Sequence, residues 1–228
     1  MSYIVKAILY LYKLYTPTYF AYWLGSILSM LLCYLTNLIV VLFCDKYGQL
    51  PKLFKLWQTY DNCLDVEWMV TEKKVPRVFQ YDFNKHYRYH PEIKQEDIFI
   101  PGYVELLDDN FSIKERIQRY FCRVAWLYRN CAYGFAYYLF GIRYFGSLQI
   151  VLENQKKDDG SYLFVSTYQR KNKKYFCIKV NEYWKLFSHP FKCDIYLGWK
   201  MAGTTTYNSF SRAMTAIRIS PFQKADRD

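Results

Sequence analysis

The sequence has few of the residues and motifs that carry enzyme chemistry. It contains three histidines, nine glycines and seven prolines. It has no GxGxxG dinucleotide fingerprint, no GxxxxGK(S/T) phosphate loop and no GxSxG nucleophile elbow. These absences argue against the enzyme classes that depend on those motifs, and no cofactor is predicted.

Paired cysteines are also missing. The seven cysteines are scattered, and no CxxC pair occurs, so the sequence contains neither a zinc ribbon nor a dithiol redox motif. An odd number of scattered cysteines predicts free thiols in a reducing compartment.

Charge is absent from one long stretch, Leu14–Cys44, which is 31 residues long. About 20 apolar residues are enough to cross a bilayer core, and the few polar side chains here are short ones that membrane helices tolerate. We predict a membrane-embedded, transmembrane helix, and a single long helix rather than a hairpin that turns near Gly25. A signal peptide has an apolar core of only about 7–15 residues, so we expect the segment to be retained. The alternative is the central helix of a soluble core.

Basic and aromatic residues surround this stretch. The net charge is +11, and the chain contains 25 Tyr, 17 Phe and 6 Trp, which beside an apolar segment favours anionic lipid headgroups as partners. Lys52 and Lys55 are predicted to contact phosphates where the chain leaves the membrane. Ser2–Tyr15 predicts an amphipathic helix for the headgroup layer, broken at Pro17. More lysines follow the stretch than precede it, so the positive-inside rule favours a cytoplasmic C-terminal side.

A second set of predicted phosphate contacts lies on a helix that Ser112 and Glu115 open as a capping box. Arg116, Arg119 and Arg123 follow at helical spacing and predict one basic stripe. The alternative is a core helix whose arginines meet the acidic residues that precede it.

Acidic residues and histidines are candidate metal ligands or catalytic groups. Asp82, His86 and His90 follow one another by one helical turn, but the HExxH pattern is absent and Pro91 disfavours a helix at that point. We therefore predict no metal site, although these three residues are candidate ligands. The alternative function, a small-ligand or metal-dependent enzyme, would use five residues: Asp61, Asp65, Glu67, His86 and His90.

The C-terminal part of the sequence predicts short strands. Asp158–Ser161 is a hairpin turn signal, and two of the expected strands are Tyr175–Val180 and Trp184–Phe187. Four to six such strands predict a small antiparallel sheet, whereas residues 73–109 are expected to form surface segments and a loop. The predicted fold is α+β, in four regions: a helical membrane anchor at 1–46, a basic and aromatic helical region at 47–146, the antiparallel sheet at 147–222 and a polar tail at 223–228.

Five strings of residues, in this order, resemble an uncharacterised family of small proteins from tailed bacteriophages. They are CYLTNLIVVLF at 33–43, WQTYDN at 57–62, WLYRNCAYGF at 126–135, YLGWK at 196–200 and RAMTAIR at 212–218. The resemblance spans about 33–222 and implies a phage gene product that acts in an infected bacterium. It implies no activity and no catalytic residue.

These observations together predict a non-enzymatic, membrane-associated accessory protein. We expect it at the host bacterial inner membrane, with most of the chain in the cytoplasm, where it binds inner-membrane lipids and an unknown host or phage protein. Besides the enzyme, a second alternative function is that of a virion or assembly component. Nucleic acid is not an expected partner.

Overall fold

The computed structural model describes residues 1–58, 63–66, 75–91, 93–95, 98–100, 103–143, 148–170, 172–186, 189–200 and 212–224. The chain divides into two compact units. The sheet unit comprises Met1–Gly25 and Phe140–Asp228, and the helical unit comprises Ser26–Leu139. This division differs from the four regions expected from composition, because the first 25 residues group with the C-terminal strands.

The described residues form helices and antiparallel strands, which confirms the predicted α+β class. The helices are α1 (Tyr3–Leu14), α2 (Pro17–Val40), α3 (Phe83–His86) and α4 (Ile113–Arg129). The strands are β1 (Tyr87–His90), β2 (Ile93–Gln95), β3 (Ile98–Ile100), β4 (Tyr103–Leu106), β5 (Ile142–Arg143), β6 (Leu148–Lys156), β7 (Tyr162–Arg170), β8 (Lys173–Leu186), β9 (His189–Trp199), β10 (Arg212–Ala213) and β11 (Thr215–Lys224). Short 3-10 turns lie at Val41–Phe43, Lys52–Phe54 and Arg77–Phe79, and a π-helical turn lies at Phe135–Leu139.

Five of these strands make one antiparallel sheet, in the order β11-β9-β8-β7-β6. The expected turn at 158–161 connects β6 to β7, and its Gly160 has a φ of 82°, which glycine adopts without a steric penalty. The two strands expected at 175–180 and 184–187 form one continuous strand, β8, as far as Leu186, and residue 187 lies outside the described residues. The residues between the two expected strands also pair with β9, since Asn181 and Glu182 are in register with Asp194 and Cys193.

Helix α1 packs on one face of this sheet. Tyr3 and Ala7 share a core with Leu163, Val165 and Ile178, which are fully buried, and each such apolar side chain contributes about 1.5–3 kcal/mol when removed from water. The predicted helix at 2–15 is therefore formed. Its inward side belongs to the protein core, whereas the sequence predicted an amphipathic helix for the headgroup layer.

The core of the helical unit lies between α4 and the segments around it. Leu127 of α4 and Leu64 are each 1% exposed, and Val40 and Val41 from the end of α2 join the same cluster. The capping box is confirmed, since Ser112 Oγ accepts from the Glu115 amide at 3.2 Å and Glu115 Oε2 accepts from the Ser112 amide at 2.8 Å.

The expectation of loop and surface segments across 73–109 is wrong for part of that range. Strand β1 pairs with β4 from Tyr87↔Leu106 to His90↔Tyr103, and β2 pairs with β3. Each of these strands is only three or four residues long, which is too short to show the alternation of apolar residues on which a strand prediction depends.

Candidate membrane-facing surface

The short polar side chains of α2 point into the helical unit. Ser29, Cys33 and Asn37 are spaced by four residues, so they share one face of the helix, and all three are buried. Beside them, the Thr36 hydroxyl accepts a hydrogen bond from the Trp57 indole at 2.8 Å. The polar side of this helix is therefore the side that faces protein.

The opposite side of α2 exposes apolar side chains. Five leucines follow one another at a spacing of three or four residues, and all are exposed, Leu35 by 79%: Leu28, Leu31, Leu35, Leu38 and Leu42. Helices at the surface of a soluble protein turn their polar side outward. Membrane helices place small and polar residues against other helices and leave apolar residues facing lipid. The polarity of α2 follows the membrane arrangement.

Length and composition agree with this surface. Among the described residues, Pro17–Phe43 is the one helical segment long and apolar enough to cross a bilayer. Only 28% of the most apolar 18-residue stretch of this segment is buried within the protein. A central helix of a soluble core would be mostly buried, so the low burial argues against that alternative.

Basic and aromatic residues follow the exposed apolar face. Lys52 and Lys55 are both exposed, and the Lys55 ammonium lies 4.5 Å from the centroid of the Tyr138 ring. Phe54 packs edge-to-face on Trp57 at 5.8 Å between ring centroids. Cations and aromatic rings in this arrangement are typical of residues at the headgroup level.

The predicted arginine stripe is divided between the surface and the interior. Arg116 is exposed, and its Nε donates to the Phe111 carbonyl at 3.2 Å. Arg119 and Arg123 are buried and both contact the Asp65 carboxylate, at 2.9 and 2.7 Å for the closest atoms. Their cationic groups are engaged by Asp65, so Arg116 is the member of the stripe that remains open to an outside anion.

Asp65, Arg119 and Arg123 form a cluster of buried charges that pair with one another, here called the Asp65 cluster. Asp65 accepts two hydrogen bonds from each guanidinium, and Tyr87 Oη donates to it at 3.0 Å. Burial raises the pKa of the Asp65 carboxyl, but the guanidinium groups of Arg123 and Arg119 outweigh burial, so this pKa lies below its ordinary value. Arg119 also donates to the carbonyl of Lys46. The cluster therefore ties the chain just after α2 to α4.

The candidate metal ligands are not brought together on one helix. Helix α3 ends at His86, and His90 lies at the end of strand β1. Asp82 caps α3, its carboxylate accepting from the Lys85 amide at 3.3 Å. Within the described residues, no group of three His, Cys, Asp or Glu side chains is placed to hold a metal ion.

The two histidines have separate environments. The His86 ring is buried, stacked on Phe111 at 3.9 Å between centroids, and one ring nitrogen lies 3.2 Å from Glu115. His90 Nε2 lies 2.7 Å from Glu105. Asp61 and Glu67, the remaining members of the alternative enzyme site, lie outside the described residues. Asp65 is engaged by two arginines.

Residues 11–227 match a family of unknown function, DUF7338. The chain belongs to this family. No curated protein and no solved structure matches it.

The sequence carries a signal for the inverted polarity of α2 that the composition alone does not show. Ser29, Cys33 and Asn37 recur every four residues, which already places the polar groups of this DUF7338 chain on one face and the leucines on the other. The Asp65 cluster has no comparable signal. Its arginines lie 54 and 58 residues further along the chain, and local patterns do not report contacts at that separation.

Proposed function

We propose that this protein is a membrane-associated accessory protein whose helix α2 lies in the hydrocarbon of a bilayer. The observation that carries the proposal is the inverted polarity of α2, which has buried Ser, Cys and Asn side chains on one side and exposed leucines on the other. Exposing so many apolar side chains to water costs about 25 cal/mol per Å², and contact with lipid removes that cost.

The proposal extends to a tailed bacteriophage as the source and to the host inner membrane as the location. The five sequence strings support the phage source. The seven cysteines all lie in the described part of the chain and none of them forms a disulfide, which supports a reducing compartment such as the cytoplasm for most of the chain. The exposed Lys52, Lys55 and Arg116 would meet the anionic headgroups of inner-membrane lipids.

We propose a binding role rather than catalysis. Asp65, His86 and His90 are held in structural contacts with Arg, Glu and aromatic side chains, which supports a non-enzymatic protein. The partner would be a host or phage protein met at the membrane during infection.

Substitution of one exposed leucine tests the membrane location. Leu35→Asp places a charge on the outward face of α2, and Ile219→Asp is the matched control, because Ile219 is 63% exposed and lies on strand β11 of the sheet unit. A charge at the centre of a membrane helix costs about 2.5–3.5 kcal/mol, and less near the headgroups. We expect Leu35→Asp to lower the membrane-bound fraction on the order of tenfold and Ile219→Asp to leave it unchanged.

Fractionation of cells that express each variant gives the measurement, as the ratio of protein in the membrane pellet to protein in the supernatant. Equal ratios for wild type and Leu35→Asp, or wild-type protein in the supernatant, would overturn the membrane location. Affinity capture of tagged protein from infected cells in mild detergent tests the partner. Recovery in purified phage particles instead would favour the virion alternative.

A further inference from the structure

We infer that α2 lies along one leaflet of the bilayer and does not cross it, so that the protein is monotopic. The inference rests on the proposed membrane location and adds to it the orientation of the helix. Length and composition allow a crossing; the contacts of α2 and the path of the chain argue against one.

Helix α4 runs beside α2 within the helical unit. The Tyr120 hydroxyl donates to the Leu38 carbonyl at 2.7 Å, and about two turns further along α4 the Tyr128 hydroxyl donates to the Tyr34 carbonyl at 2.9 Å. Beyond the end of α4, Cys131 Sγ lies 3.5 Å from the Met30 carbonyl oxygen. The two segments therefore stay side by side while α2 passes from Leu38 back to Met30.

The C-terminal end of α4 carries a charge beside the inner part of α2. Arg129 is exposed and is adjacent to Tyr128, whose hydroxyl contacts the Tyr34 carbonyl. Lys114 and Arg116 are exposed as well, but they precede Tyr120, which contacts Leu38 near the end of α2. If α2 crossed the bilayer, the end of α4 would enter the hydrocarbon with it, where the charge of Arg129 would cost about 2.5–3.5 kcal/mol near the bilayer centre. An orientation in the plane of the membrane keeps α4 out of the hydrocarbon and leaves the leucine face of α2 in lipid.

The path of the chain gives a second, independent reason. Helix α1 precedes α2, yet it is fixed to strand β8, because the amides of Tyr3 and Ile4 donate to the Glu182 carboxylate at 3.2 and 3.1 Å. A crossing by α2 would require a return crossing before β8. The longest uncharged run in residues 45–147 is 130–142, thirteen residues, and a helical span needs about 20.

A monotopic helix buries its apolar face about 5–10 Å deep, at the boundary between headgroups and acyl chains. The leucine face of α2 is suited to that depth along its whole length, since the spacing of three or four residues keeps it on one side. Lys52, Lys55 and Arg116 are the exposed cations that anionic headgroups would meet. The partner of this surface is therefore a single leaflet rich in anionic lipid.

Thiol labelling at the two ends of α2 tests the orientation. Single substitutions Thr18→Cys and Gln49→Cys place a thiol at exposed positions at the start of α2 and just after it, and Asp158→Cys reports the exposed hairpin of the sheet unit. The full-length protein is added to preformed vesicles of phosphatidylcholine and phosphatidylglycerol. It is then labelled with a membrane-impermeant maleimide, before and after detergent. Peptide mass spectrometry separates each engineered thiol from the native ones.

A monotopic helix predicts that all three engineered thiols react to the same extent in intact vesicles as after detergent. Protection of Gln49→Cys with a reactive Thr18→Cys, or the reverse, would show a crossing and would overturn the inference. Flotation of the same vesicles checks the proposed function separately. Protein that fails to float with the lipid contradicts the membrane location itself, whatever the labelling pattern.

Discussion

At the scale of single residues, Asp65 determines whether the interior of the helical unit is balanced in charge. It is 2% exposed and faces two buried guanidinium groups. A buried ion pair adds modest net stability compared with apolar side chains, but the loss of one member leaves the others without a counter-charge. Removal of the Asp65 carboxylate is therefore expected to lower the stability of the protein by more than the loss of its hydrogen bonds alone.

We expect Asp65→Asn to destabilise the protein by about 3–5 kcal/mol, because Arg119 and Arg123 would remain buried without an anion. Asp109→Asn is the control, since Asp109 lies 3.8 Å from Lys46 with both side chains about half exposed, and such pairs contribute at most about 1 kcal/mol. Unfolding in mild detergent, followed by circular dichroism, gives the comparison. Equal losses in the two variants would contradict a structural role for the cluster.

The same cluster predicts a dependence on pH. The pKa of Asp65 is lower in the folded protein than in the unfolded chain, so its contribution to stability is present above the ordinary carboxyl pKa, near 4, and is lost as the pH falls through the folded value. The stability difference between wild type and Asp65→Asn should therefore be constant near neutral pH and narrow below about pH 4. A difference that stays constant throughout acid titration would be inconsistent with a lowered pKa.

At the scale of elements, α1 shows how a short helix is fixed by a strand far along the chain. Glu182 of β8 accepts from the Ser2 hydroxyl at 2.6 Å and from the two backbone amides that follow, and Lys157 contacts it at 3.2 Å. Burial raises the pKa of this carboxyl, and these four donors together bring it below its ordinary value. A carboxylate at a helix N-terminus also meets the positive end of the helix dipole.

We expect Glu182→Gln to loosen α1, because the charge-assisted hydrogen bonds to its first amides become neutral ones. Hydrogen exchange of the α1 amides should accelerate on the order of tenfold. Glu105→Gln, which removes the carboxylate beside His90 in the helical unit, should leave α1 exchange unchanged. Unaltered α1 exchange in Glu182→Gln would mean that apolar packing alone holds the helix to the sheet.

At the scale of the whole molecule, the sequence predicts what depends on neighbouring residues. The break at Pro17, the capping box at Ser112 and the turn around Gly160 are all local signals, and the structure contains each of them. The uncharged run at 14–44 marks α2 for the same reason. The α+β class follows from these local elements together.

Contacts between distant residues could not be predicted in the same way. The α1 amides meet Glu182 about 180 residues later, and Asp65 meets arginines more than 50 residues away. These contacts decide which arginines are buried and which part of the chain packs on α1. They also support the proposed membrane orientation, because the contacts of α4 and α1 argue against a crossing by α2.

The membrane location itself is tested most directly by lipids that carry a photoactivated carbene precursor in the acyl chain. The wild-type protein is bound to vesicles containing such a lipid, irradiated and digested, and the adducts on α2 are mapped by mass spectrometry. We predict adducts on Leu28, Leu31 and Leu35 and none on the buried Ser29, Cys33 and Asn37. Absence of adducts on the leucines, or equal labelling of both faces, would contradict a helix whose exposed apolar side meets hydrocarbon.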